Sequence, residues 1–355
     1  MAVYTTIDDP SAFFQTATYT GGGGGSSVVN DGNSDLQPDL VWFATREGNN
    51  KPLQDSTRGG TKNIYSDLSQ GADTTPSGVG IASFDSDGFT FGSTAQTYFN
   101  LTSKTYVAWQ WKAGGGTTVS NSDGSITSTV QANTTAGFSI VTFTGTGSVA
   151  TVGHGLGVAP DMIIQKNLDS TANWSVKHHK TTNNYDFLNL NLTSAVTAND
   201  SIWTQTDPTT SVFSIGTATA INQSGQDQIC YCFAEKQGYS KFGKYTGNGN
   251  ANGTFVYTGF KPAFVMTKPS SSTGSWSLYD HKRLGYNPID VWLRANGSDA
   301  ESTSAISGDD IDLYSNGFKL RNSDNTINGS GTTYIYMAFA ENPFVTSTGI
   351  PTTAR

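Results

Sequence analysis

The sequence predicts an all-β protein built from three tandem β-sandwich units of the jelly-roll or concanavalin A-like kind. Thr, Tyr, Phe and Trp are frequent while Lys and Glu are scarce, a composition that favours strands over helices. Glycine-rich turns separate short hydrophobic runs at regular intervals, as they do in two-sheet architectures. Four landmarks also recur three times in the same order, which indicates duplication of one unit of roughly a hundred residues.

The landmarks are an aromatic-Thr-Gly turn, a proline that opens a hydrophobic run, a turn with a central Phe, and a near-continuous apolar strand. The opening proline and the last aromatic residue of the apolar strand are, in the three copies, Pro38 and Trp111, Pro160 and Phe233, and Pro262 and Phe339. These pairs are 73, 73 and 77 positions apart. Spacing this constant indicates a repeat and not a chance similarity of composition.

The landmarks also set the expected boundaries. We expect an N-terminal arm or anchor at 1–16, a first β-sandwich repeat at 17–113, a Gly/Ser/Thr-rich linker at 114–137, a second repeat at 138–239, a third repeat at 240–345 and a C-terminal tail at 346–355. The second and third repeats are joined by a short segment, whereas the linker separates the first from the second. We therefore expect the second and third repeats to pack together and the first to be tethered more loosely.

The apolar strand of each repeat has a face of large residues and a face of mostly small ones. In the first repeat, alternation puts Trp109 and Trp111 on one face and Ala108 on the other. A strand that is apolar on both faces lies in the middle of a covered sheet. We expect the large face to fill the core between the two sheets of its own sandwich, and the small face to approach a neighbouring repeat or a loop.

Charge and cysteine content bound the environment and the partners. The net charge of −8 argues against a general nucleic-acid binder. The sequence contains no run of about 18 apolar residues, so no membrane span is predicted. The N-terminus lacks the basic region of a signal peptide. Cys230 and Cys232 are two positions apart, so we expect buried free thiols in a protein folded in a reducing cytosol.

No motif predicts catalysis, a metal centre or a cofactor. His178, His179 and His281 lack the spacing of a metal site, and we expect structural roles for them. Glu235 and Glu341 recur at the end of a core strand, where a carboxylate usually caps a loop. We expect a protein that is not an enzyme.

Two aspartate clusters allow two interpretations. Asp85 and Asp87 lie in one cluster, and Asp309, Asp310 and Asp312 lie in the other. Both clusters resemble fragments of calcium loops, but each offers fewer oxygens than calcium requires. Aspartates that form turns are favoured, and calcium binding stays open.

Aromatic residues outside the landmarks are the candidate binding residues. Tyr98, Phe99, Trp203 and Trp292 lie in polar stretches, where exposed rings would hold sugar faces or form a protein interface. Both interpretations remain open. Phe13 and Phe14, in the N-terminal arm, are interpreted either as an anchor onto a neighbouring protein or as part of a frayed tail.

Several segments resemble a family of virion structural proteins from tailed bacteriophages, many of them marine. They are "VGHGLGVAPDMIIQKN", "GYSKFGKYTGNGNANGTFVYTGFKPAFVMTK" and "YIYMAFAENPF", and the resemblance covers roughly residues 19–344. It implies a component of the phage particle and supplies no catalytic residues. The first repeat departs from the pattern, because "WQWKAGGG" replaces "AFAENPF" at the end of its apolar strand.

The first functional hypothesis is a non-enzymatic virion protein of a tail fibre or tail appendage that binds glycans of the host surface. The alternative is a capsid decoration or cement protein on the head exterior. A polysaccharide depolymerase is disfavoured, because paired carboxylates and a β-helix repeat are missing from the sequence. The expected partners are other virion proteins, further copies of the chain in a trimer, and host polysaccharide. Nucleic acid and membrane insertion are not expected, and the expected location is the virion, after folding in the host cytoplasm.

Overall fold

The computed structural model describes residues 4–303 and 310–352. Antiparallel strands dominate these residues, and the predicted all-β class is confirmed. The helices are a 3-10 turn at Pro10–Ala12 and a one-turn helix, α1, at Thr219–Asn222. None of the helices among the described residues has the length and hydropathy needed to cross a membrane.

The strands follow the order of the three repeats. The first repeat contains β1 Phe14–Thr20, β2 Ser27–Val28, β3 Leu40–Thr45, β4 Pro52–Asp55, β5 Lys62–Tyr65, β6 Asp73–Thr74, β7 Ile81–Asp85, β8 Gly88–Phe91 and β9 Thr105–Trp111. Next come β10 Val119–Asn121, β11 Ser128–Asn133, β12 Phe138–Thr144, β13 Ala150–Gly153, β14 Met162–Asn167, β15 Ser175–His178, β16 Asp186–Phe187, β17 Thr197–Ala198, β18 Val212–Ile215 and β19 Asp227–Phe233. The third repeat contains β20 Ser240–Thr246, β21 Phe255–Tyr257, β22 Phe260–Pro269, β23 Ser277–Asp280, β24 Val291–Arg294, β25 Ser302–Thr303, β26 Ile311–Tyr314, β27 Gly317–Leu320 and β28 Thr333–Pro343.

Each repeat contributes one large six-stranded sheet. The strand orders are β1-β9-β3-β4-β5-β6, β10-β11-β12-β19-β14-β15 and β20-β28-β22-β23-β24-β25. The apolar landmark strands β9, β19 and β28 have a partner on both sides, as their sequence predicts. The proline-led strands β3, β14 and β22 pair directly with them.

Smaller sheets accompany the large ones. They are β2-β8-β7 in the first repeat, β13-β18 and β16-β17 in the second, and β21-β27-β26 in the third. Between each large sheet and its smaller partner lies a separate hydrophobic cluster made of residues from one repeat alone. The small-residue faces of the apolar strands line these clusters, with Ala108, Cys230, Cys232 and Ala338 among their members.

The large-residue faces meet in one core shared by all three repeats. Trp109 and Trp111, Tyr231 and Phe233, and Met337 and Phe339 all belong to this core. The expected assignment of the two faces was therefore wrong: the bulky face points to the neighbouring repeats and the small face points into its own repeat. The reason is volume, because three sheets converging on one centre leave a space that only large side chains fill.

Polar contacts of one kind close the three repeats into a ring. The last residues of β4, β15 and β23 each contact the apolar strand of the next repeat. The contacts are Tyr231 Oη donating to Asp55 at 2.8 Å, His178 Nε2 to the Tyr336 carbonyl at 3.2 Å, and Trp109 Nε1 donating to Asp280 at 3.1 Å. They run from the first repeat to the second, from the second to the third and from the third to the first.

A second series of contacts runs around the same ring. Trp174 Nε1 donates to the Tyr65 carbonyl at 2.8 Å, and Trp276 Nε1 donates to the Asn189 carbonyl at 2.9 Å. The Ser66 hydroxyl donates to the Ala295 carbonyl at 2.7 Å and completes the circuit. The first repeat contacts both neighbours, so the expectation that it is loosely tethered was wrong.

Part of the expected linker at 114–137 belongs to a sheet. Strands β10 and β11 lie within it, and β11 pairs with β12 to extend the large sheet of the second repeat. The Gln131 side chain donates to the Thr57 hydroxyl at 2.8 Å, which ties β11 to the first repeat. Alternating Thr, Ser and Asn residues conceal these strands, because their outward face is polar.

The N-terminal arm packs against the third repeat and against the end of the second repeat. Thr5 donates to the Gln237 carbonyl at 2.7 Å, and the Phe14 ring stacks on Phe339 with centroids 5.1 Å apart. Phe14 is buried in the shared core, and Phe13 lies 6.0 Å from the Tyr239 ring. These two rings therefore anchor the first strand within the molecule, which explains their apolar character without a neighbouring protein.

Candidate functional site

Most aromatic residues predicted to contact ligands lie inside the protein. Phe99 and Trp203 are fully buried, and Trp292 is 4% exposed. Tyr98 is half-buried against Tyr65, with ring centroids 5.6 Å apart. Phe99, Trp203 and Trp292 fill the separate clusters of the first, second and third repeats. Their interpretation as surface contacts was wrong, because a polar sequence neighbourhood does not report what covers a side chain in the fold.

The aspartate clusters show hydrogen bonds typical of turns and strand edges. Asp85 accepts hydrogen bonds from the hydroxyls of Ser83 and Thr90, both at 2.6 Å. Asp87 accepts from the Leu36 amide at 3.2 Å. Asp309 lies outside the described residues. Across residues 4–303 and 310–352, no group of three or more His, Cys, Asp and Glu side chains is placed to hold a metal ion.

The third repeat exposes a cluster of rings that the sequence did not single out. Its small sheet has two rows of residues across β21, β27 and β26 on the side opposite its own hydrophobic cluster, and these rows include the 8% exposed Asp312 and the buried Gly317. We define the third-repeat aromatic face as these two rows, which are Phe255, Lys319 and Asp312 in one and Tyr257, Gly317 and Tyr314 in the other. Phe255 is 45% exposed and Tyr257 is 53% exposed.

Gly317 lies between the two tyrosines of its row and is itself buried. A Cβ atom at this position would lie 3.0 Å from the Phe255 ring and 2.1 Å from the Val256 carbonyl oxygen, so only glycine fits. The Phe255 and Tyr314 rings are 6.1 Å apart and inclined at 66°. The face is therefore a surface of closely spaced rings, with the Phe255 ring packed beside the Gly317 backbone.

Polar groups of the face are held in place by one another. Asp312 accepts from the Tyr314 hydroxyl at 2.9 Å and forms an ion pair with Arg321 at 3.3 Å. Burial, together with the hydrogen bond to Asp312, raises the pKa of the Tyr314 phenol above its ordinary value. Lys319 donates to the Asn252 side chain at 2.6 Å. Donors and acceptors thus flank the rings in fixed positions.

A cavity of about 600 Å³ opens beside this face. Tyr314 is shared between the two, and Tyr286, which is 67% exposed, lines the opposite part of the cavity. Ile289 and Leu313 contribute apolar surface. His281 also lines the cavity, and its Nδ1 lies 3.1 Å from the Ala263 carbonyl oxygen. A volume of this size, lined by rings and a few polar groups, suits a small organic ligand.

The other repeats lack rings at the equivalent positions. In the first repeat, Ser27, Thr90 and Ser83 replace the Phe255 row, and their hydroxyls bond to one another or to Asp85. In the second, the paired residues are Thr151 with Ser214 and Gly153 with Val212. The aromatic face is thus a feature of one repeat and not a consequence of the shared fold.

The comparison with known proteins matches one family over most of the chain. The family described as Domain of unknown function (DUF7483) matches residues 9–343. The chain belongs to the DUF7483 family. No curated protein and no solved structure matches it. The match in this DUF7483 protein spans all three repeats, which agrees with the shared core and the closed ring of contacts.

A sequence signal for the aromatic face of this DUF7483 protein did exist. Phe255 and Tyr257 flank Val256, so alternation puts both rings on one side of β21. The exposed side of β21 can be identified only by aligning the three repeats. The central residue of the equivalent strands is Val28, Val152 and Val256, whereas the residues on either side of it vary in polarity. The constant apolar position faces inward, and the variable positions face solvent.

Proposed function

We propose that this protein is a non-enzymatic structural protein of a tailed-phage virion, acting in a tail fibre or other tail appendage that contacts the host surface. The resemblance of its repeats to virion proteins motivates the assignment. The observation that best supports it is the closed ring of three repeats around one aromatic core. A body of this kind has no hinge between repeats and suits a mechanical role on a particle.

The ring also bears on oligomeric state. A homotrimer is the oligomer expected of a fibre component, and it stays a prediction for this protein. Here a single chain already places three related sheets around a common centre, and the large apolar faces are used within it. The fold therefore offers threefold geometry without association of three chains.

The decisive experiment is to count copies of the chain in purified particles by quantitative mass spectrometry, with the major capsid protein in the same digest as the reference. A handful to a few dozen copies per particle is expected for a tail appendage. Several hundred copies would contradict that location and support the alternative, a capsid decoration protein. Absence of the chain from washed particles would overturn both assignments.

A further inference from the structure

We propose that the third-repeat aromatic face and the cavity beside it form a binding site for a pyranose polysaccharide of the host surface. The inference rests on the proposed function, because it names what the tail appendage would bind. It places the site on Phe255, Tyr257, Tyr286 and Tyr314, with Asp312 and Lys319 as polar partners. These residues differ from the aromatic residues that the sequence first suggested.

The rings supply the apolar part of the recognition. A pyranose ring has flat patches of C–H groups that pack on aromatic faces, and each such contact removes apolar area from water. Phe255 and Tyr257 project from the same side of β21, and Tyr314 faces Tyr257 across Gly317. Gly317 lies between them, with the Val256 carbonyl oxygen and the Phe255 ring packed close to its backbone.

The polar groups supply the directional part. Sugar hydroxyls both donate and accept, so a site needs groups of both kinds beside the rings. Lys319 provides a donor, Asp312 provides an acceptor of small exposed area at 8%, and the His281 side chain lines the cavity. The Asp312 carboxylate is oriented by Arg321 and Tyr314, so it is positioned before a ligand arrives.

The shape of the site favours a chain of sugars over a protein surface. The cavity of about 600 Å³ falls in the range of small-ligand sites, and the aromatic face adjoins it at Tyr314. Rings alternate with charged side chains over a short distance, whereas the core of a protein interface is depleted of charge. The site occurs in one repeat of three, so each chain carries one.

The test uses the full-length protein and a panel of purified bacterial capsular and O-polysaccharides, immobilised for biolayer interferometry. The wild-type protein is expected to bind at least one of them. Tyr257→Ser and Tyr314→Ala are each expected to weaken that binding tenfold or more, which is about 1.4 kcal/mol. Tyr257 is 53% exposed, so its replacement is expected to leave the thermal midpoint unchanged.

The matched control is Ser27→Ala, at the position in the first repeat equivalent to Phe255. It is expected to bind like the wild type. Failure of the wild type to bind any polysaccharide, or equal binding by the tyrosine variants, would overturn the inference. The copy number of the Tyr257→Ser variant in particles is counted separately. Normal incorporation of this variant, together with loss of polysaccharide binding, supports both proposals. Incorporation of the wild-type protein without binding to any polysaccharide rejects this inference alone and leaves the proposed function standing.

Discussion

At the scale of single residues, His178 shows how the ring fixes a protonation state. Its Nε2 lies 3.2 Å from the Tyr336 carbonyl oxygen, and its Nδ1 accepts a hydrogen bond from the Lys180 amide at 3.2 Å. One nitrogen therefore donates while the other accepts, which only the neutral ring can do. Burial, reinforced by the neighbouring His179, lowers the pKa of His178 to about 3.

This arrangement predicts a pH dependence of stability. The folded protein keeps His178 neutral, whereas the unfolded chain takes up a proton near pH 6.5. The stabilisation is complete above pH 6.5 and is lost as the pH falls toward 3, at about 1.4 kcal/mol per pH unit. We expect wild-type protein to lose roughly 2–3 kcal/mol more than His178→Gln between pH 6.5 and 4.5, as measured by urea denaturation.

His281→Gln is the matched control, because His281 occupies the position after β23 that His179 occupies after β15, and it is partly exposed. Its denaturation midpoints are expected to follow those of the wild type at each pH. Parallel pH profiles for His178→Gln and wild type would show that His178 takes up its proton without unfolding, contrary to the prediction.

Residue-scale features also mark the limit of sequence reasoning. The burial of Cys230 and Cys232 as free thiols was predicted correctly, because both lie in an apolar run. The burial of Phe99 and Trp203 was not, because it depends on rings such as Phe43 and Phe213 that other strands bring against them. Loop polarity reports the local chain, whereas burial depends on the tertiary packing.

At the scale of elements, strands β14 and β22 each carry a buried lysine at their next-to-last position. Lys166 donates to the carbonyls of Ser69 and Ala172, at 3.1 and 2.8 Å, and Ser69 belongs to the first repeat. Lys268 donates to the carbonyls of Thr193 and Ser194, at 3.1 and 2.8 Å, in the second. Each lysine thus ties its strand to a loop of the preceding repeat.

Replacing this tie should destabilise the ring. Burial lowers the pKa of Lys268 to about 8, and its ammonium group is bound by carbonyl oxygens from two repeats. Lys268→Met would keep the packing of the side chain and leave these buried carbonyls without their donor. We expect a loss of about 2–4 kcal/mol in the free energy of unfolding, measured by urea denaturation.

The control is Lys244→Met, on the exposed side of β20, for which a change within about 0.5 kcal/mol is expected. Similar stabilities for the two variants would mean that water replaces Lys268 at the carbonyls without cost. The comparison isolates the burial of the ammonium group, since both substitutions remove one charge from a strand.

Elements were predicted better than their packing. The proline-led strands and the apolar strands appear where the landmarks put them, because alternation and turn residues act locally. The faces of β9, β19 and β28 were assigned the wrong way round. The sequence pattern of a strand indicates that both of its faces are buried, but it does not identify which part of the protein packs against each face. The same holds for β10 and β11, which composition alone assigns to a linker: β10 pairs with β11, and β11 pairs with β12.

At the scale of the whole molecule, the shared core predicts that the repeats unfold together. Trp111 of the first repeat lies 6.3 Å from Phe233 of the second and 5.7 Å from Phe339 of the third, measured between ring centroids. Opening any repeat would expose the large apolar faces of the other two. Separate sandwiches joined by linkers would instead unfold independently.

We expect one cooperative transition in calorimetry, with equal calorimetric and van't Hoff enthalpies. Trp111→Ala should lower the stability by about 3–5 kcal/mol, and hydrogen exchange should report the same loss in slowly exchanging strands of all three repeats. Phe99→Ala is the comparison, since Phe99 lies in a cluster private to the first repeat. If either variant accelerates exchange in the first repeat while the other two keep wild-type protection, the repeats are independent domains. An equal loss of exchange protection in all three repeats, in both variants, would make the closed ring the unit of stability, because a cavity in one repeat would then destabilise all three.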